Sequence, residues 1–171
     1  MTNLFCFISV IYISFAISCR KALVSKGNIE TVVYQQDDST LIKTAYNSIG
    51  KIFDADYRGK YYLYNTLEHW TPNREEALTA DSIMMNCVYL NTGTTPKMLQ
   101  LIKSYKRQYF GIVEKDSSKL IWINCFLESG SAKIDYWKSD VVTMNDGGDN
   151  YFNVLVNLKE KKCTKIRINN H

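Results

Sequence analysis

The chain has 171 residues, 46% of them hydrophobic and 22% charged, with a formal net charge of +4. This length predicts one domain, large enough to bury a core that needs no disulfide for its stability. The mild charge excess raises the hypothesis of a nucleic-acid partner, which is set aside because an exported protein seldom meets nucleic acid. The sequence contains no internal repeat or low-complexity segment.

The N-terminus carries an apolar run, Leu4–Ser18, that has the length of a signal-peptide core. It is shorter than the ~20 apolar residues that a membrane-spanning helix needs. Small residues at Ala16 and Ser18 fit a cleavage site, and Cys19 follows the cut directly. The sequence therefore predicts a signal peptide at residues 1–18.

A cysteine at the mature N-terminus is what bacterial lipoprotein processing requires for acylation. Acyl chains on Cys19 would hold the protein on a bilayer, because each buried methylene contributes about 0.8 kcal/mol. We expect a lipidated tether at residues 19–28, one domain at 29–171, and a location in the bacterial cell envelope, periplasmic or surface-facing. Arg20 and Lys21 follow the apolar run and none precedes it, so a short signal-anchor or ordinary secretion are the alternatives.

The first part of the domain gives weak structural signals. Ile29–Tyr34 alternates and is β-branched, which favours a strand before a polar turn at Gln35–Thr40. The aromatic segment Gly59–Tyr64 indicates another strand.

The clearest helix is predicted at Pro72–Asn91, with Thr71 as its cap and Pro72 at its first position. Glu75 and Glu76 in the first turns favour this start. A shorter helix is predicted from Pro96 to about Ser104. The residues of the first helix that follow apolar helical spacing are Ala77, Ala80, Ile83, Met84, Cys87, Leu90 and Asn91.

Period-two patterns with short turns then predict an antiparallel sheet. The predicted strands are Lys106–Glu114, Lys119–Glu128, Asp140–Met144, Tyr151–Leu158 and Lys162–Ile168. In the fourth strand, Phe152, Val154, Val156 and Leu158 share one side, and Tyr151, Asn153 and Asn157 share the other. This alternation predicts a sheet with one covered side. The fold class is therefore α+β, with a four- to five-stranded antiparallel sheet packed against one main helix.

The order of several motifs resembles a family of small bacterial secreted proteins and lipoproteins of unknown function, over roughly residues 70–170. The motifs are Trp70-Thr71-Pro72, Tyr105–Tyr109, Ile121–Phe126, Trp137-Lys138 and the Asp-Gly-Gly turn with its aromatic strand at Asp146–Asn153. The resemblance implies a C-terminal Asp-Gly-Gly hairpin but no activity. The chain departs at its end, which reads Ile168-Asn169-Asn170-His171 where the family pattern has Asn-Gly.

Three cysteines remain for the domain, Cys87, Cys125 and Cys163, in no metal or redox spacing. At most one bridge can form, and we expect buried, inert thiols. The positive charge is concentrated near the C-terminus, which raises the hypothesis that this segment binds anionic lipids. Lysines on an edge strand also prevent edge-to-edge pairing of sheets, and this second interpretation is favoured. The basic residues concerned are Lys159, Lys161, Lys162, Lys165 and Arg167.

An acidic loop, Asn145–Asn150, offers the oxygen ligands of a calcium site through Asp146 and Asp149. The same residues suit a tight turn, which is the favoured interpretation. Asp54–Gly59 begins like a calcium loop but has Arg58 at a ligand position, so a turn is expected there as well.

Catalytic patterns are weak. Ser48 and Lys51 have the Ser-x-x-Lys spacing, but its partner motifs are missing. His69 is one of two histidines and is expected to mark the start of the helix. The sequence therefore does not indicate an enzyme, a cofactor or a metal.

Aromatic residues make up 13% of the chain. Some are expected on an open sheet face, with Trp122, Trp137 and Tyr151 as binding residues for a protein or glycan; core packing is the favoured alternative. The function expected is a lipid-anchored, non-enzymatic binding module. The alternatives are a calcium-dependent or hydrolytic envelope protein that uses the Asp146/Asp149 loop, and an immunity-type inhibitor of a secreted toxin.

Overall fold

The structure is a computed structural model that describes residues 39–59, 64, 66–128 and 134–169, which belong to one compact unit. The predicted signal peptide, Cys19, the tether and the strand at Ile29–Tyr34 lie outside these residues, as does most of Gly59–Tyr64. The described elements are β1 (Leu41–Lys43), β2 (Ile49–Ile52), β3 (Glu68–Trp70), α1 (Arg74–Leu90), α2 (Pro96–Leu101), β4 (Lys106–Val113), β5 (Lys119–Phe126), a 3₁₀ turn (Asp135–Lys138), β6 (Gly148–Asn157) and β7 (Lys162–Asn169).

The fold is α+β, as predicted, but the described residues form a sheet of seven strands where four to five were expected. Its order is β1-β2-β4-β5-β6-β7, and β3 also pairs with β4. All pairs are antiparallel except β2 and β4, which run parallel. The three added strands have only three or four residues each, too few to show a clear period-two pattern.

The main helix begins two residues later than predicted. Asn73 caps α1, because its side chain accepts from the Glu76 N–H at 2.9 Å and the Glu76 carboxylate accepts from the Asn73 N–H at 2.8 Å. This capping box satisfies two backbone donors at once. Thr71, the predicted cap, instead accepts a hydrogen bond from the Ala55 N–H.

One face of α1 covers one face of the sheet, as expected from its spacing. The buried helix residues Ala77, Ala80 and Met84 pack on the β4, β5 and β6 side chains of this layer. Leu90 was predicted to belong to this apolar face, but its side chain is 84% exposed in the last turn of α1. The sheet residues of this layer include Tyr109, Ile121, Ile123, Cys125, Phe152, Val154 and Val156.

The second sheet face is also covered, which corrects the prediction of a sheet with one covered side. The segment predicted as a strand at Asp140–Met144 follows the 3₁₀ turn and forms no strand. Its Val141 and Val142 are buried against the second face. The alternation in this segment therefore reflects packing onto the sheet rather than pairing within it.

Two amide side chains hold this segment in place. Gln108 and Asn124 are cross-strand partners on β4 and β5, and both are fully buried. The Gln108 amide donates to the carbonyls of Trp137 and Asp140, at 2.7 Å each, and its oxygen accepts from the Val142 N–H at 2.9 Å. The Asn124 amide donates to the Gln108 oxygen and to the Val142 carbonyl. Side chains thus replace the ladder that a strand would have supplied.

We expect Gln108→Leu to lower the free energy of unfolding by about 2–3 kcal/mol, since it leaves buried backbone groups of Trp137, Asp140 and Val142 without their partner. Urea denaturation measures this loss, and hydrogen exchange should show faster exchange at the Val142 N–H. Gln100→Leu, at an exposed glutamine on α2, is the matched control and should change stability by less than about 0.5 kcal/mol. An equal effect of the two substitutions would contradict the role given to Gln108.

Candidate functional site

The aromatic residues proposed for binding lie in the core. Trp122, Trp137 and Tyr151 are only 1%, 4% and 8% exposed. The Trp122 ring packs 5.2 Å from that of Phe110, and the Trp137 ring lies 6.3 Å from that of Phe126. The structure therefore agrees with the favoured alternative, core packing. Buried in this way, the three residues form no recognition surface.

The acidic loop forms a turn. Asp146 adopts a positive φ of 56°, Gly148 one of 50°, and the Asn150 N–H donates to the Gly147 carbonyl at 2.9 Å. No group of three or more His, Cys, Asp or Glu side chains that could hold a metal occurs among the described residues. Calcium binding by Asp146 and Asp149 stays a prediction, which calorimetry with calcium on the wild type and on Asp146→Ala/Asp149→Ala would test.

Ser48 and Lys51, the weak catalytic candidates, hydrogen-bond to other residues and not to each other. Ser48 is buried and its hydroxyl donates to the Lys103 carbonyl at 2.8 Å, whereas the Lys51 amine bonds to the Thr40 hydroxyl. The two residues of the Ser-x-x-Lys spacing therefore have different partners, and nothing in these contacts activates the serine.

His69 lies in β3 rather than at the start of the helix. Its Nδ1 lies 2.7 Å from a guanidinium nitrogen of Arg58, which can only donate, and its Nε2 lies 2.9 Å from the Tyr64 carbonyl, which can only accept. These partners fit a neutral ring with its proton on Nε2. The ring therefore connects two surface segments.

A buried ionic cluster lies between α1 and the sheet, and sequence reasoning missed it. The Asp81 carboxylate lies 2.8 Å from Nε of Arg107 and accepts from the Tyr109 hydroxyl at 2.9 Å. Arg107 also donates to the Ile102 carbonyl at 3.2 Å. Burial raises the pKa of Asp81, and the nearby Arg107 and the Tyr109 hydrogen bond oppose this shift. All three side chains are buried, so the cluster is part of the core and is closed to a ligand from solvent.

Buried phenol and thiol groups predict a fold that is sensitive to alkali. Burial raises the pKa of Tyr151 and that of the Cys125 thiol to about 12 each, from ordinary values of 10 and 9. The unfolded chain releases these protons near pH 9 to 10, whereas the folded chain retains them. Their contribution to stability is therefore complete below about pH 9 and is lost as the pH rises toward 12.

We expect the urea midpoint to fall steadily between pH 9 and pH 11. Tyr151→Phe should make this fall shallower, since one raised pKa is removed, whereas Tyr89→Phe at an exposed tyrosine should leave it unchanged. A midpoint independent of pH in this range would contradict the prediction.

The best candidate site is a groove at one end of the sheet, which we call the end groove. It has a volume of 410 Å³, within the range of small-ligand pockets. The start of α1, the end of β3, the β4–β5 turn and the end of β6 converge on it. The lining residues are Trp70, Glu76, Asp116, Ser117, Ser118, Lys119, Asn157, Leu158 and Lys159.

Trp70 forms the aromatic wall of the end groove. It pairs with Gly111 across β3 and β4, and a Cβ at position 111 would lie 2.8 Å from the Trp70 ring and clash with its carbonyl. Only glycine therefore lets the indole lie over β4. The indole N–H donates to the Ile112 carbonyl at 3.3 Å, and the Lys119 ammonium stands 5.1 Å from the ring centroid.

The polar wall of the end groove comes from turns. The Asp116 carboxylate accepts from the Ser118 N–H at 3.0 Å, which lowers the pKa of Asp116, and Ser117 adopts a positive φ of 67°. The Asn157 side chain accepts from the Glu160 N–H. Cationic, anionic and amide groups thus surround one indole, an arrangement that can bind a polar ligand.

The sequence contained a signal for this groove. The turns after β4 and after β6 were both predicted, and alternate turns of an antiparallel sheet lie at the same end. The sequence did not predict that Trp70 lies in this groove, because the three-residue strand β3 that places it there was not predicted.

A second cavity of equal volume runs along the outer face of α1, but that one helix alone forms it, and Arg74 and Glu75 are among its lining residues. Within the described part of the chain, no helix has both the length and the hydropathy needed to cross a bilayer. Comparisons of the chain with protein-family models, with curated proteins and with solved structures found no match.

Proposed function

We propose that this chain is an exported, lipid-anchored binding module, held at a bacterial envelope by acyl chains on Cys19. Its folded part binds a polar component of the envelope through the end groove and performs no bond cleavage. The observation that carries this proposal is the groove itself, which brings Trp70, Lys119 and Asn157 together at an accessible end of the sheet.

The disulfide supports export. Cys87 on α1 and Cys163 on β7 are bonded, with their Cα atoms 6.3 Å apart. Structural disulfides persist in oxidising compartments such as the periplasm and are rare in the cytosol. This pairing corrects the expectation of three inert thiols and agrees with a leader that directs the chain out of the cytosol. Cys125 is the one free cysteine among the described residues, and it is buried.

A binding role rather than a catalytic one is supported by the partners of the reactive side chains. Ser48 and His69 bond to backbone carbonyls, and Asp81 bonds to Arg107 and Tyr109 inside the core. Groups with such partners shape the fold. The groups left at the end groove are suited to recognition, where an aromatic wall and a few polar groups set orientation.

Labelling with a clickable fatty acid tests the anchor. We expect label on the wild-type chain and none on Cys19→Ala. Label that survives this substitution, or no label on the wild type, would refute the lipid anchor.

Affinity capture from native envelopes tests the groove. The wild type and Lys115→Glu should retain the same component, and Lys119→Glu should lose it. The two substitutions make the same charge change on exposed lysines, but only Lys119 lines the groove. Equal capture by both variants, or no component captured by the wild type, would refute the assigned role. A secreted toxin as the captured component would favour the immunity-type alternative.

A further inference from the structure

The apolar part of the end groove lies on the sheet face that α1 covers. Trp70 pairs with Gly111, and Gly111 pairs with Ile121, a residue of the core layer next to α1. Lys119 stands two positions before Ile121 on β5, so its side chain points to the same face. Trp70 and Leu158 both pack against this core layer. The groove therefore has an indole, a leucine side chain and a lysine on one face of the sheet.

The Trp70 indole offers one ring face to a ligand. A Cβ at Gly111 would lie 2.8 Å from Cε2 and 2.9 Å from Cδ1 of the indole, so one ring face lies over the β4 backbone. The other face is turned away from β4, and the ammonium of the exposed Lys119 stands 5.1 Å from the ring centroid. The π face of an indole is electron-rich and attracts groups that carry positive charge. The C–H groups of a sugar ring carry a partial positive charge and therefore fit this face.

The charged groups that line the end groove cancel one another. Glu76 and Asp116 supply two carboxylates, and Lys119 and Lys159 supply two ammonium groups. A charged ligand of either sign would meet two like charges in this lining, and the contact of like charges costs binding free energy. The lining therefore favours a ligand without net charge.

The polar groups of the groove both donate and accept hydrogen bonds. The Asp116 and Asn157 side chains accept from backbone N–H groups of their own turns, and Glu76 accepts from Asn73 in the capping box. A carboxylate can accept more than one hydrogen bond, and an amide also has two N–H donors. Two serine hydroxyls and two ammonium groups add further donors. A hydroxyl likewise donates and accepts, so a ligand rich in hydroxyls matches this lining.

We infer that the polar component bound in the end groove is a neutral glycan, with the C–H face of one sugar ring on the Trp70 indole and its hydroxyls on the surrounding polar groups. Lys119 has a flexible four-carbon stem and turns from the indole to a sugar hydroxyl. A folded protein is disfavoured, because a stable protein interface needs about 800 Å² per partner, whereas 410 Å³ is the size of a small-ligand pocket. The inference rests on the binding role proposed for the groove.

The test titrates the purified full chain with tetrasaccharides of known charge and follows the indole N–H signals by NMR. The chain has three tryptophans, and Trp122 and Trp137 are buried, so a shift of the Trp70 signal reports on the groove; Trp70→Phe assigns that signal. The neutral probes are tetramers of N-acetylglucosamine, of glucose and of mannose. In mildly acidic buffer, tetraglucosamine is the cationic probe and tetragalacturonate the anionic one. A polyoxyethylene detergent is used because it has no sugar headgroup.

We expect at least one neutral tetramer to shift the Trp70 signal. The two charged tetramers should bind about tenfold more weakly, because each meets two like charges. No shift with any neutral tetramer would overturn the inference, as would equal or tighter binding of a charged one. Shifts confined to signals other than that of Trp70 would also overturn it.

A charge-changing variant tests the balance of charge in the groove. Asp116→Asn gives the lining a net charge of +1 and keeps a side-chain oxygen for the Ser118 N–H. We expect it to bind tetragalacturonate more tightly and tetraglucosamine more weakly than the wild type, by up to about fivefold for one exposed charge. Asp56→Asn, at an exposed carboxylate outside the groove, is the matched control and should change neither affinity. Equal effects of the two substitutions would contradict the inference.

Failure of the glycan inference can be distinguished from failure of the binding role. A component captured from native envelopes that protease removes and glycosidases do not would overturn the glycan and leave the binding role in place. Absence of any captured component refutes the binding role. The titration needs neither the lipid anchor nor the envelope, so it decides on the glycan in that case as well.

Discussion

Asp81→Ala is expected to lower the free energy of unfolding by about 3–5 kcal/mol. The substitution leaves the Arg107 guanidinium charged and fully buried with no counter-charge, and the Tyr109 hydroxyl loses its acceptor. Removing one partner of a buried pair costs this much because the remaining charge stays desolvated. Urea denaturation of the purified chain, followed by circular dichroism, measures the loss.

Two further variants separate charge burial from simple loss of packing. Asp81→Leu/Arg107→Met/Tyr109→Phe removes the whole polar cluster, and we expect it to recover most of the lost stability, since no charge then needs desolvation. Asp56→Ala, at an exposed carboxylate, should change stability by less than about 0.5 kcal/mol. A loss below about 1 kcal/mol for Asp81→Ala would contradict the account of the cluster.

Cys87→Ser/Cys163→Ser should lower the free energy of unfolding by about 4 kcal/mol. The disulfide joins residues 76 positions apart, and closing a loop of this length removes much of the entropy of the unfolded chain. We expect a lower urea midpoint for the double variant, with the largest rise in hydrogen exchange in β7 and the last turn of α1.

Reduced wild-type protein provides the control for the stabilising effect of the disulfide. With a reductant present, its urea midpoint should approach that of the double variant, and the double variant should not respond to the reductant. Native protein should offer no reactive thiol at Cys87, Cys125 or Cys163. Coincident unfolding curves for the oxidised wild type and the double variant would contradict the stabilising role.

Local patterns were sufficient for the helices and the long strands. α1 and α2 begin beside Pro72 and Pro96, and the predicted β4, β5 and β7 agree with the structure to within two residues at each end. These elements can be predicted from the sequence because their turn residues, caps and periodicity all lie within a few positions of one another. The strand predicted at Asp140–Met144 was wrong for the opposite reason, since the backbone of this segment bonds to the side chains of Gln108 and Asn124, which lie on strands more than 15 residues away.

The candidate site shows the same division. Turn residues at Asp116–Ser118 and at Lys159 were visible in the sequence, but the convergence of Trp70 with them depends on the pairing of β3 with Gly111. Residue type alone made Trp122, Trp137 and Tyr151 candidates for binding. Residue type cannot tell an exposed ring from a buried one when both sheet faces are covered.

The sequence by itself determined the class of fold, the main helix, the antiparallel hairpins and the place of the positive charge at the edge strand, because these features depend on neighbours along the chain. Tertiary structure alone decided that Cys87 bonds to Cys163, that Arg107 is buried against Asp81, and that Leu90 stays exposed at the side of the sheet. Each of these depends on contacts between segments distant in sequence, or on where the sheet ends, and no local periodicity carries that information.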